Sequence, residues 1–205
     1  MKRINKIAYI VFVLVLFILA LPVLLIISLG LLLFSGFPIV YHQKRVGKSG
    51  VIFIIYKFRT MVKNAENLKS TYLYLNEADG PVFKIHNDPR LTRIGRFLSH
   101  TGLDELPQLI NVIKGDMSLI GPRPLPIIEA QKLKSWQQKR QQIKPGIISP
   151  WIFEGYHTKS FNDWMKSDIY YIQKKSLIYD GFLLSKAVSL MVKLFFRELT
   201  RVFKE

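Results

Sequence analysis

A mixed, helix-rich α/β protein seated on one face of a membrane is what this sequence predicts. Its parts are an N-terminal re-entrant helix broken at a proline, a small hairpin-built sheet and basic amphipathic helices at the membrane interface. Three observations carry that reading. Residues 7–34 contain no Asp, Glu, Lys or Arg, and Pro22 stands in their middle. Lys and Arg flank the run at both ends, as "MKRINK" and "HQKRVGK". From Tyr41 onward, short alternating segments and amphipathic ones take over, in a chain of 205 residues with a net charge of +16.

The apolar run is too long for an ordinary core helix, and no small-residue cleavage site ends it. A straight helix of that length extends ~42 Å, against a hydrocarbon core of ~30 Å. Proline removes a backbone donor and clashes with the preceding turn, so it breaks or kinks the helix into arms of ~22 and ~18 Å, each too short to span. Positive flanks prefer the cytoplasmic face. A helix that enters, bends at Pro22 and leaves on the same side satisfies both flanks, and is favoured over a single span. Residues 1–40 are thus expected to form an anchor and residues 41–205 one domain.

Next, "YHQKRVGKSGVIFIIYKFRTM" reads as two short strands around a Lys48-Ser49-Gly50 turn, with Lys57 and Arg59 on the parity of Val51, Phe53 and Ile55. "NAENLKSTYLYLNEADG" reads as a helix and "PVFKIH" as a strand. Asn87-Asp88-Pro89 is a helix-start signal. "RLTRIGRFLSH" groups Leu91, Ile94, Phe97 and Leu98 against Arg90, Arg93, Arg96 and His100. The C-terminal stretch sets Lys193, Arg197 and Arg201 opposite Met191, Phe195 and Val202. Alone, each could as well pack on a core, but beside a membrane anchor the interfacial helix is the better reading for both.

The balance of 30 Lys+Arg against 14 Asp+Glu points to anionic partners, and no acid precedes Glu66. Cysteine is absent, which excludes disulfides, thiolate metal sites and thiol nucleophiles. His42, His86, His100 and His157 follow no metal-binding spacing and read as surface or satisfied residues. The chemistry lies in "TGLDELPQLI". Thr101 and Asp104 have capping-box spacing. Leu106, Leu109, Ile110 and Ile113 make an apolar face, and Gly115 is a stop. Asp104 and Glu105 then stand in a helix's first turn, where they complement its dipole. The same dipole would keep a carboxylate ionised for nucleophilic attack, and Glu105 is a fitting Mg²⁺ ligand. A strand over residues 117–120 runs into Gly121-Pro122-Arg123-Pro124, where prolines stiffen a loop around a guanidinium suited to phosphate.

Taken together, "QKRVGKSG…YKFRTM", "NDPRLTRIGRFL", "LDELPQLINVIKGDMSLIGPRP" and "KPGI…DIYYI" resemble the bacterial sugar transferases, specifically the small monotopic phosphoglycosyl transferases. The resemblance runs from about Tyr41 to Tyr171. It implies transfer of a sugar-1-phosphate from a UDP-sugar to polyprenyl (undecaprenyl) phosphate with release of UMP, at the start of bacterial glycoconjugate assembly. It implies Asp104 as nucleophile forming a phosphosugar-aspartate, Glu105 as ligand of Mg²⁺, and Lys57 in charge neutralisation. Arg123, with Arg59 and Pro124, would hold phosphate, and Gln43 and Asp168 would line the substrate pocket. The implied place is the cytoplasmic face of the inner membrane, on an anionic lipid surface, with downstream glycosyltransferases as partners. The chain departs from the family pattern at Leu21, where Ser is common, and at Ser99-His100, where a basic pair is common. It departs again in "PGIISPWIFEGYHTKS", which lacks the family's Arg. Two other readings compete. One is a non-catalytic scaffold of polysaccharide assembly that keeps the fold. The other is a membrane-tethered nucleic-acid binder, which the lack of any such motif disfavours.

Overall fold

The computed structural model describes residues 3–154 and 160–202, and only the backbone of residues 3–6 and 202. His157, and with it residues 155–159 of the altered segment, lie outside the described residues.

The first element, α1 (Arg3–Ser35), is one helix of 33 residues with Pro22 inside it. The expected division into two arms at Pro22 is not what forms. Tyr9, Val13, Phe17 and Ala20 pack into one core cluster, and Leu24, Ile27 and Leu31 into another. These positions recur every three or four residues, so one stripe meets the domain on both sides of the proline. That packing offsets the ~3 kcal/mol that an interior proline costs a helix. The outer side stays apolar and open, with Leu19 69%, Ile26 72% and Phe34 81% exposed.

After α1 come β1 (Val40–Val46) and β2 (Ile52–Phe58), antiparallel and joined by the 3₁₀ turn Lys48–Gly50, as expected. The stretch expected as a helix, residues 64–80, instead makes two single 3₁₀ turns, Asn67–Lys69 and Leu73–Leu75. Leu73 and Tyr74 there are 57% and 79% exposed, so no apolar face is buried that could hold a helix. "PVFKIH" is not a strand. Its backbone is tied to its own loop: Asn76 Oδ1 accepts from Lys84 N at 2.8 Å, and Glu77 N donates to Lys84 O at 2.8 Å. Asp88 is not a helix start either. It turns onto Arg90 with bonds of 2.7 and 2.9 Å, and the helix begins only at Arg93.

That helix, α2 (Arg93–Thr101), is capped by Thr92, whose hydroxyl accepts from Gly95 N at 3.0 Å. Its Leu98 meets Ile27 and Leu31 of α1. A Cβ on Gly95 would fall 1.8 Å from Thr60 O, so only glycine permits this approach. The chain continues through a 3₁₀ segment (Leu103–Gln108) to α3 (Leu109–Lys114), which Gly115 ends as expected at φ +87°. Then follow β3 (Ser118–Ile120), β4 (Leu125–Pro126), α4 (Ile127–Ala130), β5 (Gly146–Ile148), α5 (Phe161–Lys174) and α6 (Leu177–Val202).

Two small sheets result, ordered β2-β1-β4 and β3-β5, the second parallel. The phenyl ring of Phe195 on α6 lies 5.7 Å from that of Phe97 on α2. Protein therefore covers the apolar side of α2, which is a packing helix rather than the expected interfacial one. On α6, Ile178, Phe182 and Phe196 stay 88%, 52% and 60% exposed.

Candidate active site

Directly opposed residues of an antiparallel pair share a face. Tyr41, Gln43 and Arg45 thus lie on one face with Lys57, Ile55 and Phe53. Phe53 and Ile55 bury in the core, and Lys57 emerges at its edge. Arg59 follows the same parity but goes elsewhere. Its guanidinium donates to Ser35 O and, at 2.9 Å, to Gly36 O, so it closes the C-terminal end of α1. It does not join Lys57 in a phosphate site, contrary to expectation.

The two acids are not in the first turn of an α-helix. Thr101 ends α2, its hydroxyl donating back to Phe97 O and Leu98 O at 2.8 and 3.1 Å. Gly102 turns left-handed at φ +75°, and Asp104 and Glu105 follow in the 3₁₀ segment with Pro107. What fixes that segment is Asn111 on α3. β2 is an edge strand, and the Asn111 side chain completes its edge. Its Oδ1 accepts from Tyr56 N at 3.1 Å, and its Nδ2 donates to Ile54 O at 2.7 Å. So braced, the segment brings Glu105 Oε1 to 2.7 Å and Asp104 Oδ2 to 3.5 Å from Lys57 Nζ.

The Gly121-Pro122-Arg123-Pro124 loop closes the site. Its backbone runs against β5, where a Cβ on Gly146 would lie 2.1 Å from Gly121 N. Arg123 Nη1 lies 2.8 Å from Glu105 Oε1. Two arginines, Arg140 buried and Arg45 half-buried, grip the loop from behind. Arg45 Nη1 donates to Pro124 O at 2.9 Å, and Arg140 Nη2 to Arg123 O at 2.6 Å. Arg140 is itself held by the wholly buried Asp168 at 2.6 and 2.8 Å. Ser149 Oγ adds a bond to Asp168 at 3.4 Å.

Lys57, Asp104, Glu105 and Arg123 are therefore brought together as the sequence suggested. Gln43 shares their strand face. Pro124 enters through its carbonyl, and Asp168 stands behind the loop as a positioning residue. Sequence reasoning missed Asn111, Arg45 and Arg140. An asparagine inside "LINVIK" was the signal available for the first, since a buried amide needs partners. His100 Nδ1 pairs with Glu198 at 3.3 Å and the ring stacks on that of His86 at 5.9 Å, but its Nε2 is buried without a hydrogen-bond partner, so the expected satisfied residue is satisfied at one nitrogen only.

Burial pushes the Asp104 carboxyl up, and the neighbouring Glu105 charge adds to this against the pull of Lys57 and Arg123. This reverses the expectation of a dipole-depressed Asp104. Desolvation of the half-buried Glu105 would raise it, but Arg123 and Lys57 overcome that and bring it down to about 2. Negative charge is thus held first on Glu105. Arg123, with its side chain 42% exposed against 10% for Asp104, is the cation an arriving anion meets. Among the described residues no group of three or more His, Asp or Glu could hold a metal. A Mg²⁺ that arrives with a diphosphate needs only one or two carboxylates, a requirement the Glu105 carboxylate fits.

A family model described as bacterial sugar transferase matches residues 1–194. The chain is 44% identical over 147 residues to the galactosyl transferase CpsE of Streptococcus agalactiae serotype III, covering 71% of this chain and 33% of that one. To the undecaprenyl-phosphate galactose phosphotransferase of Salmonella typhimurium it is 36% identical over 167 residues, covering 78% and 34%. To the exopolysaccharide production protein ExoY of Sinorhizobium fredii it is 33% identical over 190 residues, covering 90% and 84%. The chain spans about a third of the length of the first two relatives.

Proposed function

The chain belongs to the bacterial sugar transferase family, and from that premise we propose that it moves a sugar-1-phosphate from a UDP-sugar to polyprenyl phosphate, releasing UMP. The observation that carries the proposal is the convergence of Lys57 and Arg123 on Glu105, beside the buried Asp104. Phosphoryl transfer asks a protein mainly for positioning and for cations around the phosphate.

Asp104 attacks the phosphorus that carries the sugar. A bond forms from its carboxylate oxygen to that phosphorus, the bond to the distal phosphate breaks, and UMP departs with the electron pair. Splitting one displacement into two through a carboxylate is established enzyme chemistry. Lys57 and Arg123 offset the charge on the phosphate oxygens. Glu105 would hold Mg²⁺ with the donor's diphosphate, where the ion neutralises charge. The lipid phosphate then displaces Asp104.

The membrane arrangement in this reading is supported by α1. Its inner stripe meets the domain from Tyr9 to Leu31, and its outer face is apolar. A helix packed so along its length lies in the interface with its domain, on the cytoplasmic side that the positive flanks favour. There a soluble donor and a lipid acceptor can reach one carboxylate.

The test uses the full chain in detergent with a panel of UDP-sugars. With donor and Mg²⁺ but no acceptor, intact mass should rise by one phosphosugar, and polyprenyl phosphate should then discharge it. Asp104→Asn should abolish both the adduct and turnover. Wild-type turnover in that variant would remove Asp104 as the nucleophile.

A further inference from the structure

Three stretches of chain carry the charged groups of the site. β2 carries Lys57, the 3₁₀ segment carries Asp104 and Glu105, and the loop after β3 carries Arg123. β2 and β3 belong to different sheets, so no strand ladder sets their charges at a common distance. One residue is tied to all three. Asn111 is 0% exposed and stands on α3, into which the acid segment runs directly. Its Nδ2 donates to Ile54 O at 2.7 Å, and its Oδ1 accepts from Tyr56 N at 3.1 Å, just before Lys57. Nδ2 also donates to Asp116 Oδ2 at 3.4 Å. The Asn111 carbonyl accepts from Asp116 N and Met117 N, at 3.0 and 3.3 Å, where the chain turns into β3.

An amide presents the same donor and acceptor as a peptide group, so Asn111 continues the ladder of an edge strand for one more step. The hold on Tyr56 is doubled. Lys114, also on α3, places its Nζ 2.7 Å from the Tyr56 hydroxyl and 4.6 Å from the ring centre. α3 itself is only 6 residues long. A helix that short has little stability of its own, so these bonds decide where it sits. The charged groups that face Asp104 are Lys57 from β2, Glu105 from its own segment and Arg123 from the loop. Burial raises the Asp104 carboxyl, Lys57 and Arg123 oppose that, and Glu105 adds to it. The balance depends on the distances of Lys57 and Arg123 from one acid.

We propose that Asn111 is a positioning residue for the transfer reaction, holding Lys57 and the Arg123 loop in one frame with Asp104 and Glu105. The proposal rests on the reading that Asp104 is the nucleophile. Without the Asn111 amide, β2 keeps its bonds to β1 but loses its tie to α3, and Asp116 loses its side-chain partner at the entry to β3. Lys57 then moves off the acids, and its pull on Asp104 weakens. The carboxylate is protonated at a higher pH and meets the donor phosphate out of line. A cavity elsewhere in the core lowers stability without that electrostatic mark. Leu133 offers the comparison: it is buried in a core cluster that includes no residue of β2, the acid segment or α3.

The experiment times adduct formation by the full chain in detergent, with UDP-sugar and Mg²⁺, across pH. Asn111→Ala should slow it about 10- to 100-fold at neutral pH, the usual cost of a small misplacement of reacting groups. Its acid limb should move to higher pH, while Leu133→Ala keeps the wild-type limb. A wild-type rate in Asn111→Ala overturns the proposal. So does a slower rate with an unmoved limb, or an equal change in Leu133→Ala, either of which assigns Asn111 to folding alone. Where Asn111→Ala does not fold, Asn111→Ser, which keeps a small hydroxyl and adds no charge, is read against the same outcomes. Titration of the Asp104 carboxyl by carbon NMR, its signal assigned through Asp104→Asn, is independent of the chemistry. If the wild-type chain forms no adduct, the nucleophile reading fails and this titration decides. A higher midpoint in Asn111→Ala but not in Leu133→Ala supports positioning, and an unchanged one rejects it.

Discussion

Asp104 and Glu105 are neighbours in sequence and opposites in electrostatics. Glu105 gathers two cations at 2.7 and 2.8 Å, while Asp104 has one at 3.5 Å and lies deeper. A nucleophilic carboxylate must be ionised. With Asp104 raised above its ordinary 3.8, activity fails as pH falls through that raised value, earlier than for an ordinary carboxylate. The rate of adduct formation, followed from neutral pH into the acid range, should show this limb. Lys57→Gln should lower the rate and also move the limb to higher pH, because Lys57 is the largest charge pulling Asp104 down. A limb that stays in place would deny Lys57 that role. Stability runs the other way for Glu105. Its folded value of about 2 lies below the ordinary 4.5, so its contribution is complete above 4.5 and is lost as pH drops toward 2. Adjacent acids in a basic chain were legible in the sequence. Which of them carries the charge was not, because that depends on a strand and a loop distant in the chain.

Among the elements, those stated locally were legible. The hairpin shows period-two alternation around a Gly turn, α2 its apolar spacing, and α3 its glycine stop. Elements decided by tertiary bonds were not. Residues 64–86 go to loop because Asn76, Glu77 and Asp79 tie them down. The acids miss an α-helix because Gly102 and Pro107 bracket them in a tighter turn. The clearest prediction here concerns Arg140 and Asp168, which join the 3₁₀ segment Gln137–Gln142 and α5 behind the Arg123 loop. Asp168→Asn breaks a buried ion pair and should cost ~3–5 kcal/mol in chemical denaturation in detergent. Replacing both partners with apolar residues of similar volume should recover most of that stability. Activity should not return with it, because Arg123 O has lost the donor that fixes the loop. If activity returns with stability, the pair matters for folding alone.

For the whole molecule, the decisive geometry is the two-sided character of α1. The sequence marked an anchor and its positive flanks but not its course through Pro22, since a proline's effect depends on what packs beside it. One stripe, Val13 to Leu31, belongs to the core, and Val13 and Leu31 are 1% and 0% exposed. The other, through Leu19 and Ile26, faces outward. Substitutions on the two stripes should separate. Leu31→Ala should cost ~2–5 kcal/mol of stability and leave vesicle binding intact wherever the chain folds. The pair Leu19→Lys and Ile26→Lys should leave the denaturation midpoint alone and sharply reduce flotation with anionic vesicles. The net charge of +16 adds a salt-sensitive share to that binding, so flotation of the pair should fall further as salt rises. Reporters at the two ends of α1 should both be reached from the side that holds the domain. Labelling from opposite sides would mean a crossing helix, and the inner stripe could then not rest on the domain from Tyr9 to Leu31.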